Sequence, residues 1–157
     1  MKLSSKSLYA VRALFNMAYH ARPAPSKIEE IAQQEDVPPR FLEQIFQDLK
    51  KAGIVGSKRG PRGGYYLTRA PREVTLGEVI EIMEGPTRTS LCREDSGDPD
   101  NNHVARPSSL CVMAQVWEGV AAQIDEVLSK VTLQDLVERG EAQGLRREGS
   151  HEFIYVI

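Results

Sequence analysis

A mainly α-helical fold carrying one small β-hairpin is what this sequence predicts, on three observations. Apolar residues recur at helical spacing along most of the chain. Ser and Thr capping signals and Pro or Gly stops punctuate those stretches. One pair of strand-like runs, Ile54-Val55 and Tyr65-Tyr66-Leu67, flanks a glycine-rich basic segment. With 157 residues, 41% of them apolar, there is room for one domain and an appendage around a real core.

The first helix is expected over Lys6 to His20, with Leu8, Val11, Leu14, Phe15 and Ala18 as its buried stripe. Arg22-Pro23-Ala24-Pro25 breaks it, and His20 suits its C-terminal dipole as a structural cation. Ser26 with Glu29 reads as a capping box opening a second helix that turns Ile28, Ile31 and Ala32 inward. Glu35-Asp36-Val37 is the turn into a third helix, with Pro39 at its first position and Gly53 at its end. Leu42, Ile45, Phe46 and Leu49 must be its buried face.

That leaves Arg40, Glu43, Gln44 and Gln47 on the opposite face. These groups can read base edges: Gln pairs with adenine, Glu accepts from cytosine N4, and Arg pairs with guanine or a phosphate. Between the two strand-like runs, Lys58, Arg59 and Arg62 stand among glycines, including Gly60, that suit a narrow hairpin tip. Two helices joined by a tight turn and followed by a basic hairpin make a winged helix-turn-helix, so the expected partner is double-stranded DNA. Charge agrees. Residues 1–72 hold 13 Lys and Arg against 6 Asp and Glu, whereas residues 73–157 hold the remaining 7 against 16, for a net −2 overall. Only the first half is suited to a polyanion.

Thr75 with Glu78 is a further capping box, opening a short helix with Leu76, Val79, Ile80 and Met83 inward; Gly85-Pro86 stops it, and it is expected to pack behind the wing. Farther on, Leu110, Met113, Trp117, Val120, Ile124, Val127 and Val131 alternate spacings of three and four. This is the seam of a long helix of about 22 residues, capped by Ser108 or Ser109 and suited to a twin helix in a homodimer. Two reading helices would then lie about 34–36 Å apart on a palindromic site. Thr132 to Gly140 is a short closing helix, EAQGLRREGS a linker, and His151 to Ile157 an apolar strand-like tail that could dock on its own dimer or on a protein partner.

The resulting division is 1–86 as DNA-binding domain, 87–108 as a sensor loop, 109–139 as dimerisation and closing helices, and 140–157 as linker and tail. The start MKLSSK leads into an amphipathic helix rather than a secretory signal, and no run is long enough to span a bilayer, so a cytoplasmic protein is expected. Cys92 and Cys111, the two cysteines, thereby become candidates for redox or metal chemistry. No Ser/His/Asp order, phosphate loop or His pair at i, i+4 is present, so an enzyme is not expected.

MKLSSKSLYAVRAL, FLEQIFQDLKKAGIV, RGPRGGYYLTR and VTLGEVIEIMEGP closely resemble the Rrf-two (IscR/NsrR/CymR/RirA-like) family of bacterial winged-helix regulators, from Met1 to about Leu136. The resemblance implies a homodimeric transcriptional regulator, probing the major groove around Leu42–Phe46 and the minor groove with Arg59. Many members hold an iron-sulfur cluster on three cysteines and a further ligand. Cys92 matches the first of those cysteines and Cys111 the last, while the middle one is replaced by REDSGDPDNNHVARPSS, where Asp98, Asp100 and His103 are the remaining donors. Three readings stay open: a 2Fe-2S cluster on Cys92, Cys111 and non-Cys ligands such as His103; a thiol/disulfide switch on the same pair; or incidental cysteines. The alternative function is a cluster-free regulator or adaptor controlled by a protein partner or small molecule.

Overall fold

The computed structural model describes residues 3–20, 24–85 and 109–147. The elements are α1 (Ser5–His20), α2 (Ile28–Glu35), α3 (Pro39–Lys51), β1 (Val55–Lys58), β2 (Gly64–Leu67), a 3-10 turn (Pro71–Glu73), α4 (Leu76–Glu84), α5 (Ser109–Lys130) and α6 (Leu133–Ala142). The predicted mainly helical architecture with a small antiparallel wing is present. Cys92 and His103, with Asp98 and Asp100, lie outside the described residues, as does the 148–157 tail.

The core forms where α1, α2 and α3 meet. Leu42, Ile45, Phe46 and Leu49 of α3 are all fully buried, against Leu14 of α1 and Ile31 of α2. Pro39 occupies the first turn of α3, where a missing N–H costs nothing. Asp36 takes the left-handed conformation, φ 51°, and ends α2; Gly53 does the same beyond α3, φ 75°.

Three expectations are corrected. Ser26 does not cap α2: Lys27 stands at the cap position, without a side-chain bond. The Ser26 backbone is drawn instead into the wing, its amide donating to Tyr65 O and its carbonyl accepting from Tyr65 N, both at 2.8 Å. Two sheet bonds outweigh one cap. On α1, Leu8 is 48% exposed, and Val11 and Phe15 are half-buried. The inward face is set by small residues, Ser7, Ala10 and Ala13, with Leu14 and Met17, which let the neighbouring helices approach closely. Finally, α4 packs on α1, α3 and α5 rather than behind the wing. Of its predicted inward set, Val79, Ile80 and Met83 are buried and Leu76 is half-buried against the core. The Thr75 hydroxyl accepts from the Glu78 amide at 3.2 Å.

The closing helix α6 carries a reciprocal capping box. The Thr132 amide and hydroxyl each donate to Asp135 Oδ2 at 2.7 Å, and the Asp135 amide returns a bond to the hydroxyl. These bonds hold the Asp135 carboxyl below the usual carboxylate range, the Thr132 amide first among them. α6 runs two residues past Gly140, because Gly140 is its contact point with α1: a Cβ there would come within 2.9 Å of the Tyr19 ring. Tyr19 donates to Leu145 O at 2.6 Å, fastening the chain beyond α6 to α1.

Candidate nucleic-acid interface

Four buried residues on one side of α3 force Arg40, Glu43, Gln44 and Gln47 to the other, and all four are exposed. None is committed to a hydrogen bond or ion pair among the described residues, so their donors and acceptors face solvent free to meet a ligand. Sequence reasoning missed the neighbours that α1 supplies. Ser5 and Tyr9 line a hollow of about 450 Å³ with Pro38, Arg40, Phe41 and Gln44, and Tyr9 meets Phe41 edge to face at 5.6 Å. No local signal predicts this, because it depends on how α1 crosses α3.

The C-terminal turn of the helix is held on two sides. Lys6 of α1 donates to Asp48 at 2.8 Å, which is the main reason that carboxyl lies below its ordinary range. Lys50, in the last turn, donates to the Ser57 hydroxyl at 2.6 Å and so ties the helix to the wing.

In the wing, Val55 pairs with Leu67, Gly56 with Tyr66, Ser57 with Tyr65 and Lys58 with Gly64. The predicted first run is shifted, since Ile54 is core and the strand begins at Val55. Tyr65 anchors the hairpin on Phe46, ring centroids 4.7 Å apart, so the wing and α3 share one core. The tip closes through the Gly63 amide, which donates to Gly60 O at 2.8 Å, with Gly60 at φ 108°. A Cβ on Gly63 would collide with backbone carbonyls of Lys58 and Gly60. Lys58, Arg59 and Arg62 are exposed there and form no ion pair among the described residues. Tyr66 lies over Gly56, where a Cβ would come within 2.6 Å of its hydroxyl.

On α5, Met113, Trp117, Val120 and Val127 are exposed, while Ile124 and Val131 are half-buried toward the body of the domain. Cys111 and Leu110 belong to the first turn of α5, and their side chains lie outside the description. No group of three or more His, Cys, Asp or Glu among the described residues is placed to hold a metal, and no described helix is long and apolar enough to cross a membrane.

The relatives of the chain match this geometry. The Rrf2 model, described as an iron-dependent transcriptional regulator, matches residues 3–139. The HTH-type transcriptional regulator IscR of Aliivibrio salmonicida is 32% identical over 143 residues, covering 91% of this chain and 81% of that protein. Among solved structures, T. potens IscR superposes with TM-score 0.73 at 32% identity, covering 94% of each chain. CymR, described as the global cysteine regulator of B. subtilis, superposes with TM-score 0.68 at 28% identity, covering 88% of this chain and 98% of that one. With its winged helix-turn-helix matched along nearly the whole length by transcriptional regulators rather than enzymes, the chain belongs to the Rrf2 family.

Proposed function

We propose that this regulator binds a near-palindromic operator as a homodimer: Arg40, Glu43, Gln44 and Gln47 meet base edges, and Lys58, Arg59 and Arg62 meet phosphates or the minor groove. The observation that carries this reading is the uncommitted polar face of α3, joined at Lys50–Ser57 to a wing with three unpaired cations. Cations of this kind supply affinity, and the helix supplies sequence discrimination.

The homodimer reading is supported by α5, whose apolar side chains stand in solvent along a seam that calls for a twin. A two-fold axis through that seam puts two reading helices about one DNA turn, roughly 34–36 Å, apart. Occupancy of such a site near a promoter blocks polymerase, so the proposed action is repression.

Cys92 and Cys111 are the proposed switch. A 2Fe-2S cluster needs four ligands, and the family pattern supplies three thiolates. This chain has two cysteines, and His103 makes a third donor, so the set falls short of that pattern and no step is routed through a cluster. A disulfide needs two thiols and no further ligand: exchange with an oxidised small-molecule disulfide joins the two Sγ atoms and leaves two reduced thiols on the oxidant. Closing that bond would tie the 87–108 loop to the first turn of α5 and bias the spacing of the two reading helices.

Selection of genomic fragments on the purified dimer, followed by footprinting and competition with bulk DNA at several salt concentrations, tests the function. The expected result is a protected two-fold site bound at least about a thousandfold more tightly than random duplex. Equal affinity for all fragments would refute it. Comparing reduced protein, oxidised protein and a Cys92→Ala/Cys111→Ala variant tests the switch, which is wrong if all three bind the operator alike. A brown protein on anaerobic purification, losing its visible absorption in Cys92→Ala, would restore the cluster.

A further inference from the structure

The first turn of α3 is apolar where a helix ordinarily offers hydrogen-bond donors. Pro38 stands at the cap position and Pro39 at the first helical one, so neither supplies an amide. The Phe41 and Leu42 amides both turn back to Pro38 O, at 3.0 and 3.2 Å. Of the first-turn amides that leaves Arg40's, and little remains of the anion site that a helix N-terminus usually makes.

What stands there instead is aromatic. Phe41 is half-buried: it packs against the core that Leu42, Ile45, Phe46 and Leu49 fill, and it also lines the α1/α3 hollow. Its ring meets Tyr9 at 89° between planes, and the Arg12 guanidinium, 5.9 Å from the Tyr9 centroid, helps hold that ring in place. At about 450 Å³ the hollow has room for the methyl-bearing edge of a pyrimidine. Gln44, at its rim, is three residues after Phe41 and so its neighbour on the helix surface. A Gln amide pairs with N6 and N7 of adenine. The thymine of that pair, like any thymine stacked beside it, turns a C5-methyl into the same groove, and that methyl is the one apolar substituent in the major-groove code.

We propose that the Tyr9–Phe41 hollow is a thymine-methyl site, so that α3 selects a thymine beside the base that Gln44 reads. This inference rests on the operator reading and deepens it, adding an apolar contact from α1 and α3 to the polar ones.

The site yielded by genomic selection supplies the probe. Each of its thymines is replaced in turn by deoxyuridine, which removes the methyl and leaves every hydrogen-bonding group in place. At one thymine per half-site the wild-type chain should lose about fourfold in affinity, and roughly fifteenfold when both half-sites are changed, the worth of one buried methyl at each. Phe41→Ala should bind more weakly and be indifferent to that replacement. Uracil tolerated at every position, or the same penalty in Phe41→Ala, overturns the proposal. A loss that follows a methylphosphonate at one phosphate and vanishes in Phe41→Ala, with uracil harmless, puts a phosphate in the hollow and overturns it too. Should Phe41→Ala fail to fold, the unaltered chain decides. Bound to an operator with 5-iodouracil at the sensitive thymine and irradiated, it should be joined to the base at Tyr9 or Phe41, as mapped by mass spectrometry. Adducts only elsewhere, or none, overturn the proposal. A chain that binds one site specifically but ignores uracil loses this inference alone, whereas one that prefers no fragment loses the operator reading and this inference with it.

Discussion

Gly63→Ala separates the wing's role in binding DNA from its role in the fold. The added Cβ meets carbonyl oxygens, one of them Gly60 O at 2.8 Å, and these are backbone atoms that no rotamer change can move aside. The tip must open, which breaks the bond from the Gly63 amide to Gly60 O and displaces Arg59 and Arg62 from their places on either side of the turn. The core keeps its anchor, because the contact of Tyr65 with Phe46 of α3 lies within the paired strands, beyond the turn that Gly63 closes. If each wing of a dimer loses one phosphate contact, the slope of log K against log salt becomes shallower by about 1.8. Between 50 and 200 mM salt, two such contacts are worth on the order of tenfold in affinity. Fluorescence anisotropy of a labelled operator at several salt concentrations, paired with a thermal melt, measures both quantities. A folded Gly63→Ala protein with wild-type affinity and slope would refute the assignment of the wing to DNA.

Other substitutions probe the remaining links. Gln44→Ala should cost about 1–3 kcal/mol against the preferred operator and little against random duplex, so that competition assays report lost discrimination; an equal loss on both would make Gln44 a backbone contact. Phe46→Ala empties a fully buried site beneath both α3 and Tyr65, and urea melts should show a loss of about 3–5 kcal/mol. Glu84 accepts from the Ser7 hydroxyl at 2.6 Å and the Ser4 amide at 2.8 Å, and these bonds, the hydroxyl first, hold its carboxyl below the ordinary range. A carboxyl depressed by folding stabilises the fold above its unfolded pKa, about 4.3, and loses that contribution as pH falls through the folded value. Stability should therefore drop below about pH 4, and Glu84→Gln should lessen the drop; identical acid profiles for the two proteins would exclude this contribution.

How legible each feature was depends on the range of the interactions that make it. Pro39, Gly53 and the Thr132–Asp135 cap act within one turn, and their positions follow from residue type. The buried face of α3 was readable for the same reason, since a period of 3.6 is local information. Ser26 was misread because its cap competes with a bridge to Tyr65, a residue 39 positions later, and no local pattern announces that partner. Leu8 was misread because periodicity distinguishes an apolar stripe from a polar one but does not say which neighbour lies against it. The Lys6–Asp48 and Lys50–Ser57 bonds, which fix the reading helix, were invisible for the first of these reasons.

The reading helix divides its duties so completely that the two can vary independently. Its fold is carried by Leu42, Ile45, Phe46 and Leu49, each with no exposed surface, and its attachment by Lys6–Asp48 and Lys50–Ser57. The four apolar groups are out of reach of a base, and the polar ones are engaged in those two bonds. Arg40, Glu43, Gln44 and Gln47 contribute almost nothing to burial, so substitutions among them should fall within the roughly ±0.5 kcal/mol expected of surface changes in stability, while under the proposed assignment each would alter base preference by more than that. On the proposed assignment, a scaffold shared with relatives about 30% identical can present a different operator code, because the positions that hold the helix and those proposed to read with it do not overlap.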